Sequence, residues 1–520
     1  MTISPASSAH GLKDQVLRDI WSYLKQTLFA QLALLAGGLV VARVLGPADY
    51  GLWNALQLIT LYGTYASLGL LNALNREVPI YRGRGNEEKI ARMRNAGLGA
   101  TVGLSVLLGG GILAYALWNR ERFDPSLLVG IIFMAGIVAL QQLSGFFDVL
   151  FRSANDFATV GRLRLYRTLA EMALAVVLVA ALNFLGRLLA AAATWIFLIV
   201  YAISRNSFPI RPRWDPAEVG RLIRLGLPLM AVEILYGILT SLDRLMIARH
   251  LDRTALGYYS VGLMAVTLLF VVPRVVWEIL YPRFGERFGE TGKSAALEHL
   301  ILVPLVGMAT VMALLLGVVV ILLPAGLAVA LPRYMAGLDA ARAIVCGSFF
   351  LALVAGPGNF LHTVTSRQTA LLLIYGGGVS LGAAFNWLAL SLGYGILGVA
   401  VATSLAYGVV ATALLFHVLA HFSRWTQCLR RLLGLYTPFG LVVIFLAVIE
   451  QWVPTPRVSG LEALVVLTVK LLAYGGLAAG ILYAVQRRWA PFRALTIEAF
   501  FGRAGRSAPL PVALEEGKPL

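Results

Sequence analysis

ARVLGPADYGLW, Ala42 to Trp53, lies between two long apolar runs, and its reading decides how the chain is laid out. Gly46-Pro47 stops the run before it, because proline has no donor to continue a helix and glycine lets the backbone leave at unusual dihedrals. Asp49 is placed to cap a returning helix, Tyr50 and Trp53 suit the wet boundary of a bilayer, and Gly51 lets a neighbouring backbone come close. Every residue has a use in a corner without any ligand, so the stretch reads as helix, corner, helix.

The flanking runs are typical of the whole chain. Of 520 residues, 59% are hydrophobic and 13% charged, and the mean hydropathy is +0.79. That composition is a membrane protein's and leaves no large soluble domain. Runs long enough to cross ~30 Å of hydrocarbon recur about fourteen times, the first at 23–43 and the last at 461–485. The second reads as 51–75, the seventh as 225–249 and the eighth as 257–281. The first 25 residues carry charges and no cleavage signal, so the first span is expected to be its own insertion signal. Two cysteines, Cys346 and Cys428, are too few and too far apart in sequence for a disulfide framework.

The net charge of +17 is explained by orientation. With the N-terminus inside, about 31 Lys and Arg fall on the inner side and about 10 on the outer, which predicts N-in and C-in. REVPIYRGRGNEEKIARMRN (76–95) alone holds six of the inner cations and RNSFPIRPRWDPAEVGRLIR (205–224) five more, where anionic headgroups lie. A nucleic-acid role is not needed to account for them.

Sliding the chain by 206 residues sets ARVLGPADYGLW over ARHLDRTALGYY, which starts at Ala248, without a gap. A weaker match pairs GFFDVLFRSANDFA (145–158) with GPGNFLHTVTSRQT (356–369). Six helices therefore read as duplicated, both copies in the same orientation about an axis along the membrane normal, with two further spans outside the repeat. The expected divisions are an N-lobe at 1–204, a linker at 205–224, a C-lobe at 225–420, an additional helix pair at 421–485 and a cytoplasmic tail at 486–520.

The A-R-x-L-G-P-x-x-Y-G-x-W pattern, the six-plus-six-plus-two plan, the basic loop after span two and SLDRLMIARHLDRTALGYYS across spans seven and eight resemble the oligosaccharide-lipid flippases. These form the polysaccharide-transporter branch of the MOP exporter superfamily. The resemblance implies an all-α polytopic protein whose two lobes form a V around a cationic central cavity, with the last two helices helping to accommodate a lipid tail. It implies that spans one, two, seven and eight line that cavity, and that Arg43, Arg76, Arg244, Arg249 and Arg274 supply its positive charge. Lys470 would then sit in a lipid-facing groove. The implied membrane is the inner membrane of a prokaryote, with proteins of polysaccharide assembly as candidate partners.

The residues themselves single out overlapping candidates, since an ionisable group within a span is a functional hypothesis by default. In VVPRVVWEILYP, Arg274 and Glu278 are one helical turn apart and able to pair, with Pro273 loosening the helix beside them. A guanidinium matches a pyrophosphate through several planar hydrogen bonds, so Arg274 is the first candidate for cargo contact and Glu278 for holding it in the empty cavity. A static structural pair is the plainer reading. Glu233 and Asp243 are candidate coupling groups for a proton or sodium gradient, with structural pairing, as in Asp243-Arg244, the alternative. Asn72, Asn75 and Arg76 share a helix face that lines a hydrated cavity or glues spans together. Asp148 and Glu171 lie near inner ends and weigh less.

Other signals fail. GETGKS (289–294) lacks the upstream glycine and the strand of a phosphate loop, and His417 with His421 lacks further metal ligands, so neither ATP hydrolysis nor a metal site is expected. No catalytic constellation is legible, and the outer loops, the longest about 323–338, are too short for an enzyme domain. The expectation is a non-enzymatic flippase for polyprenyl-pyrophosphate-linked oligosaccharide, without a cofactor. Its rivals are a peptidoglycan-precursor flippase of the same plan and an ion-coupled drug exporter, for which twelve spans and a more acidic cavity are expected.

Overall fold

The computed structural model describes residues 5–206, 208–278, 280, 297–363, 368–454 and 461–488. GETGKS, residues 364–367 of the second repeat segment and the tail beyond Arg488 lie outside the described residues. Among the described residues the chain is helical, and twelve helices are long and apolar enough to cross a membrane. Two of the twelve are double: Gln31–Ser67 turns at Gly46, and Phe157–Arg205 turns at Asn183. Each therefore holds two spans, which makes fourteen.

The local signals are those of the sequence. Gly46, at φ 72° and ψ 172°, is the non-helical residue between spans one and two, with Pro47 opening the second. Asn183 (φ 50°) makes the corresponding turn between spans five and six. There the chain doubles back so tightly that a Cβ on Gly186 would stand 1.9 Å from the Leu178 carbonyl oxygen. Side chains of Asn86, Asp156, Asp215 and Asp252 cap the helices that follow them, each accepting a backbone N–H three residues on, as N-caps do.

The corner has a use that its own residues announce only partly. A Cβ on Gly51 would lie 1.7 Å from the Arg253 carbonyl oxygen, and one on Gly257 would lie 1.9 Å from that of Pro47. The 206-residue shift carries Pro47 onto Arg253 and Gly51 onto Gly257, so the two contacts are images of each other about the repeat axis. Tyr334 packs edge-on against both Tyr50 and Tyr258, with ring centroids 6.3 Å apart in each case. Its hydroxyl donates to the Ala42 carbonyl at 2.7 Å. The copies are sealed together at the corner. Trp53 is a correction: it is 5% exposed, with the Arg187 guanidinium 3.9 Å from its ring centroid, and so lies inside the first bundle rather than at a wet boundary.

Spans two and seven are interrupted, which hydropathy did not predict. Span two runs to Gly63, passes through a 3-10 turn at Thr64–Ser67 and the positive-φ pair Leu68 (50°) and Gly69 (78°), and resumes as Leu70–Gly83. Span seven, Pro216–Leu239, breaks at Thr240 and Ser241 and resumes as Leu242–His250. Lower down the two spans touch, since a Cβ on Gly69 would lie 2.3 Å from the Gly226 carbonyl carbon.

The linker is stitched to the first bundle. Backbone N–H groups of Arg211 and Arg213 donate to the side chain and carbonyl of Asn95. Lys89 pairs with Glu218 at 2.7 Å, Arg221 with Glu77 at 3.2 Å and Arg92 with Asp215 at 2.7 Å. The hydrogen bond from Arg92 holds the Asp215 carboxyl below the usual range.

The last two spans join the second bundle through charge. Glu450 of span thirteen (Trp425–Trp452) accepts from Lys470 of span fourteen (Leu461–Arg488) and from Arg342 of span ten (Leu338–Ala352). Lys470 is 2% exposed. This corrects the lipid-groove expectation, because a charge in hydrocarbon is driven towards a partner inside the protein. Glu450→Gln is expected to lower stability in detergent by up to about 3 kcal/mol, the low end for breaking a buried pair because Glu450 is more than a third exposed. Thermal unfolding measures it, and an unchanged midpoint would deny the clasp any weight.

Candidate functional site

The two helix breaks face one another. Ser241 Oγ donates to the Gly237 carbonyl at 2.7 Å, leaving it to accept from Tyr62 Oη at 2.8 Å. Tyr65 Oη reaches the Glu233 carbonyl at 3.2 Å. Irregular backbone at membrane depth persists only where protein or a wet cavity satisfies its polar groups, and here particular side chains do so. Gln142 of span four (Pro125–Ser153) donates to the Gly63 carbonyl at 2.8 Å, and Arg244 Nη2 donates to the Thr240 carbonyl at 3.1 Å.

A polar chamber of about 440 Å³ opens beside these breaks. Spans two, four, five, six and seven line it, with Tyr65, Asn72, Gln141, Arg164, Arg167 and Glu233 as its principal polar side chains. A smaller recess continues from Gln141 and Arg167 past Gln57, Thr60 and Thr194 to Glu171. Arg167 lies over the Trp195 ring, 4.5 Å from its centroid. Among the described residues neither Arg164 nor Arg167 forms an ion pair, whereas the neighbouring acids Asp148 and Glu171 are matched to Arg152 and Arg187. Gln141, which lines both spaces, has its Oε1 buried without a hydrogen-bond partner among the described residues. Two free guanidiniums, amides, hydroxyls and an aromatic face make a wall suited to a hydroxylated, anionic guest.

The predicted residues are divided by this geometry. Asn72 and Glu233 line the chamber together. Asn75 and Arg76, on the same helical segment as Asn72, are exposed, as are Arg43 and Arg249, and none of these four lines the chamber. Asp243 is 1% exposed and accepts from Tyr259 Oη at 2.5 Å, while half-buried Arg244 serves the helix break. Both are thus engaged in holding span seven. Arg274 and Glu278 are exposed one turn apart at the end of span eight, away from the chamber lining. Arg164, Arg167, Gln141 and Trp195 were missed. The available signal was the Gln141-Gln142 pair within an apolar span and the RLRLYR spacing that puts Arg164 and Arg167 on one face.

A second concavity of about 480 Å³ lies between spans nine (Glu298–Ala330), thirteen and fourteen. Its walls include Leu302, Val306, Leu441 and Ile481, with Arg430 and Arg431 at one end. Arg431 pairs with Glu298 at 2.7 Å.

A family model described as "Polysaccharide biosynthesis protein" matches residues 16–288. Among solved structures, a lipid II flippase, MurJ, in an inward closed conformation aligns with a TM-score of 0.65 at 13% identity, over 90% of this chain and 99% of its own. An inward-facing multidrug resistance MATE family transporter of the MOP superfamily aligns at 0.60 and 12% identity, over 78% and 96%. A eukaryotic MATE transporter aligns at 0.55 and 14% identity, over 82% and 100%. At these identities the likeness is one of fold. No curated protein sequence matches.

Proposed function

Since the chain belongs to the polysaccharide biosynthesis protein family, we propose that it is a flippase that carries a polyprenyl-pyrophosphate-linked oligosaccharide from the inner to the outer leaflet of a prokaryotic cytoplasmic membrane. The observation that carries this reading is the polar chamber beside the interrupted spans, where Arg164 and Arg167 stand without ion pairs among the described residues, beside sugar-compatible amides and Trp195. Discontinuous helices at a repeat interface are a recurrent setting for transported substrates.

In this reading the pyrophosphate meets the guanidiniums, the sugars occupy the chamber and its recess, and the prenyl chain stays in lipid or lies in the apolar groove of spans nine, thirteen and fourteen. No bond is made or broken. Rocking of the lobes, 1–204 against 225–420 about the linker at 205–224, exchanges the seal at the corner for one at the basic face. The chain sits N-in and C-in, and Glu233 at the chamber mouth is the group through which a proton or sodium gradient acts. Arg274, held by Glu278 while the cavity is empty, receives the headgroup at the inward entrance.

The test is translocation of a fluorescent lipid-linked oligosaccharide in liposomes. Arg274→Ala is expected to slow it several-fold and Arg274→Lys less, as loss of one charge-assisted contact predicts. Native rates in both remove Arg274 from the path. No translocation by the native protein, with efficient drug efflux instead, sinks the flippase reading in favour of an exporter.

A further inference from the structure

A cleft of about 580 Å³ lies at the basic end of the molecule, apart from both concavities above. Its floor is the start of span three, Glu87–Trp118, and its roof is the linker segment Phe208-Pro209-Ile210; Arg82 and Asn155 close the sides. Arg94 lines it with its guanidinium 4.4 Å from the Phe208 ring centroid. The side chain is only 9% exposed, yet Nε and Nη2 have no hydrogen-bond partner among the described residues. Arg82 is close enough to add like charge, and its Nη1 donates to the Ser153 carbonyl at 2.5 Å. The lining acid is Glu87, which is exposed and makes no ion pair with either arginine among the described residues. Glu87 acts on Arg94 only through space, and a buried guanidinium without a paired counter-charge is unfavourable unless something supplies one.

We propose that this cleft binds a phosphate group between Arg94 and Arg82, beneath the linker. The Arg94 guanidinium, over the Phe208 ring in the cleft wall, offers a planar fork that suits two phosphate oxygens. The occupant staples the linker to span three, adding to the contact that already leaves no space for a Cβ on Gly99, 2.5 Å from the Arg213 carbonyl oxygen. The same phosphate chemistry reaches this end of the molecule from two sources, a glycerophospholipid headgroup or a soluble phosphate.

The experiment follows thermal unfolding of the full-length protein in a zwitterionic detergent. One arm adds inorganic phosphate against sodium chloride at equal ionic strength; the other adds short-chain phosphatidylglycerol against phosphatidylcholine. A rise in midpoint with phosphate identifies a soluble source, and a rise with phosphatidylglycerol alone identifies a headgroup. A midpoint unmoved in both arms overturns the proposal without any variant. Arg94→Met is expected to keep or raise the unliganded midpoint, since it removes a buried charge, and to weaken the effective ligand at least ~10-fold. Arg94→Lys is expected to fall between. An undiminished ligand shift in Arg94→Met, or a lower unliganded midpoint, would show that Arg94 is there to hold the fold and would also overturn it.

Discussion

Arg167→Ala is expected to cut translocation of a lipid-linked oligosaccharide by about 10- to 100-fold, the loss of one hydrogen-bonded charge worth about 1.5–3 kcal/mol. Arg167 belongs to both the chamber and its recess, so its removal is felt wherever the anionic part of the guest lies. Its side chain is exposed, and the stability lost with its stack on Trp195 is about 0.5–1 kcal/mol, too little to unfold the protein. Arg167→Lys keeps the charge but not the fork or the stack and is expected to be intermediate. Arg164 lies three residues earlier on the same face, and the double alanine variant need not multiply the single effects, because neighbours couple. A double variant that translocates at the native rate, while folding normally, would mean that the chamber does not bind the pyrophosphate.

Gly257→Val is the second large effect, and it acts on the conformational cycle. A Cβ there would be 1.9 Å from the Pro47 carbonyl oxygen, with backbone rather than a flexible side chain in the way. Spans two and eight must part, so the sealed arrangement at the corner is lost while each six-helix bundle keeps its own core. Translocation is expected to fall at least ~100-fold, since strain above about 3 kcal/mol in one state leaves little of it populated. The structural readout is maleimide labelling of Tyr50→Cys in a background lacking Cys346 and Cys428. Tyr50 is half-buried against Tyr334, so labelling is expected to be slow with Gly257 present and fast with Gly257→Val. Gly51→Val, its image across the repeat, is expected to behave alike. Equal labelling in all three proteins would show that the corner contact does not gate access.

Much of the scaffold could be read from residues alone. Gly46-Pro47 ends a helix whatever surrounds it, and the repeat of ARVLGPADYGLW as ARHLDRTALGYY pointed to a duplicated bundle with a two-fold axis. What escaped notice was direction. Arg164, Arg167 and Trp195 occupy spans whose apolar pattern is equally compatible with lipid and with other helices, because bilayer and protein interior are similarly oily. The family resemblance sent Lys470 to a lipid groove, when Glu450, which also pairs with Arg342, draws it inwards. The breaks at 64–69 and 240–241 are invisible to hydropathy, since Thr, Ser and Gly are common in unbroken spans.

By itself the sequence determined that this chain crosses a membrane about fourteen times, where its helices turn, and that its first twelve spans are two copies of one unit, because apolar length and the limits of glycine and proline are local properties. Which polar residues share a chamber, and where a helix can be interrupted, were decided only in the tertiary structure. A freed carbonyl or a buried guanidinium is tolerable at membrane depth only if another part of the chain, such as Gln142 for Gly63 or Trp53 and Glu171 for Arg187, arrives to meet it.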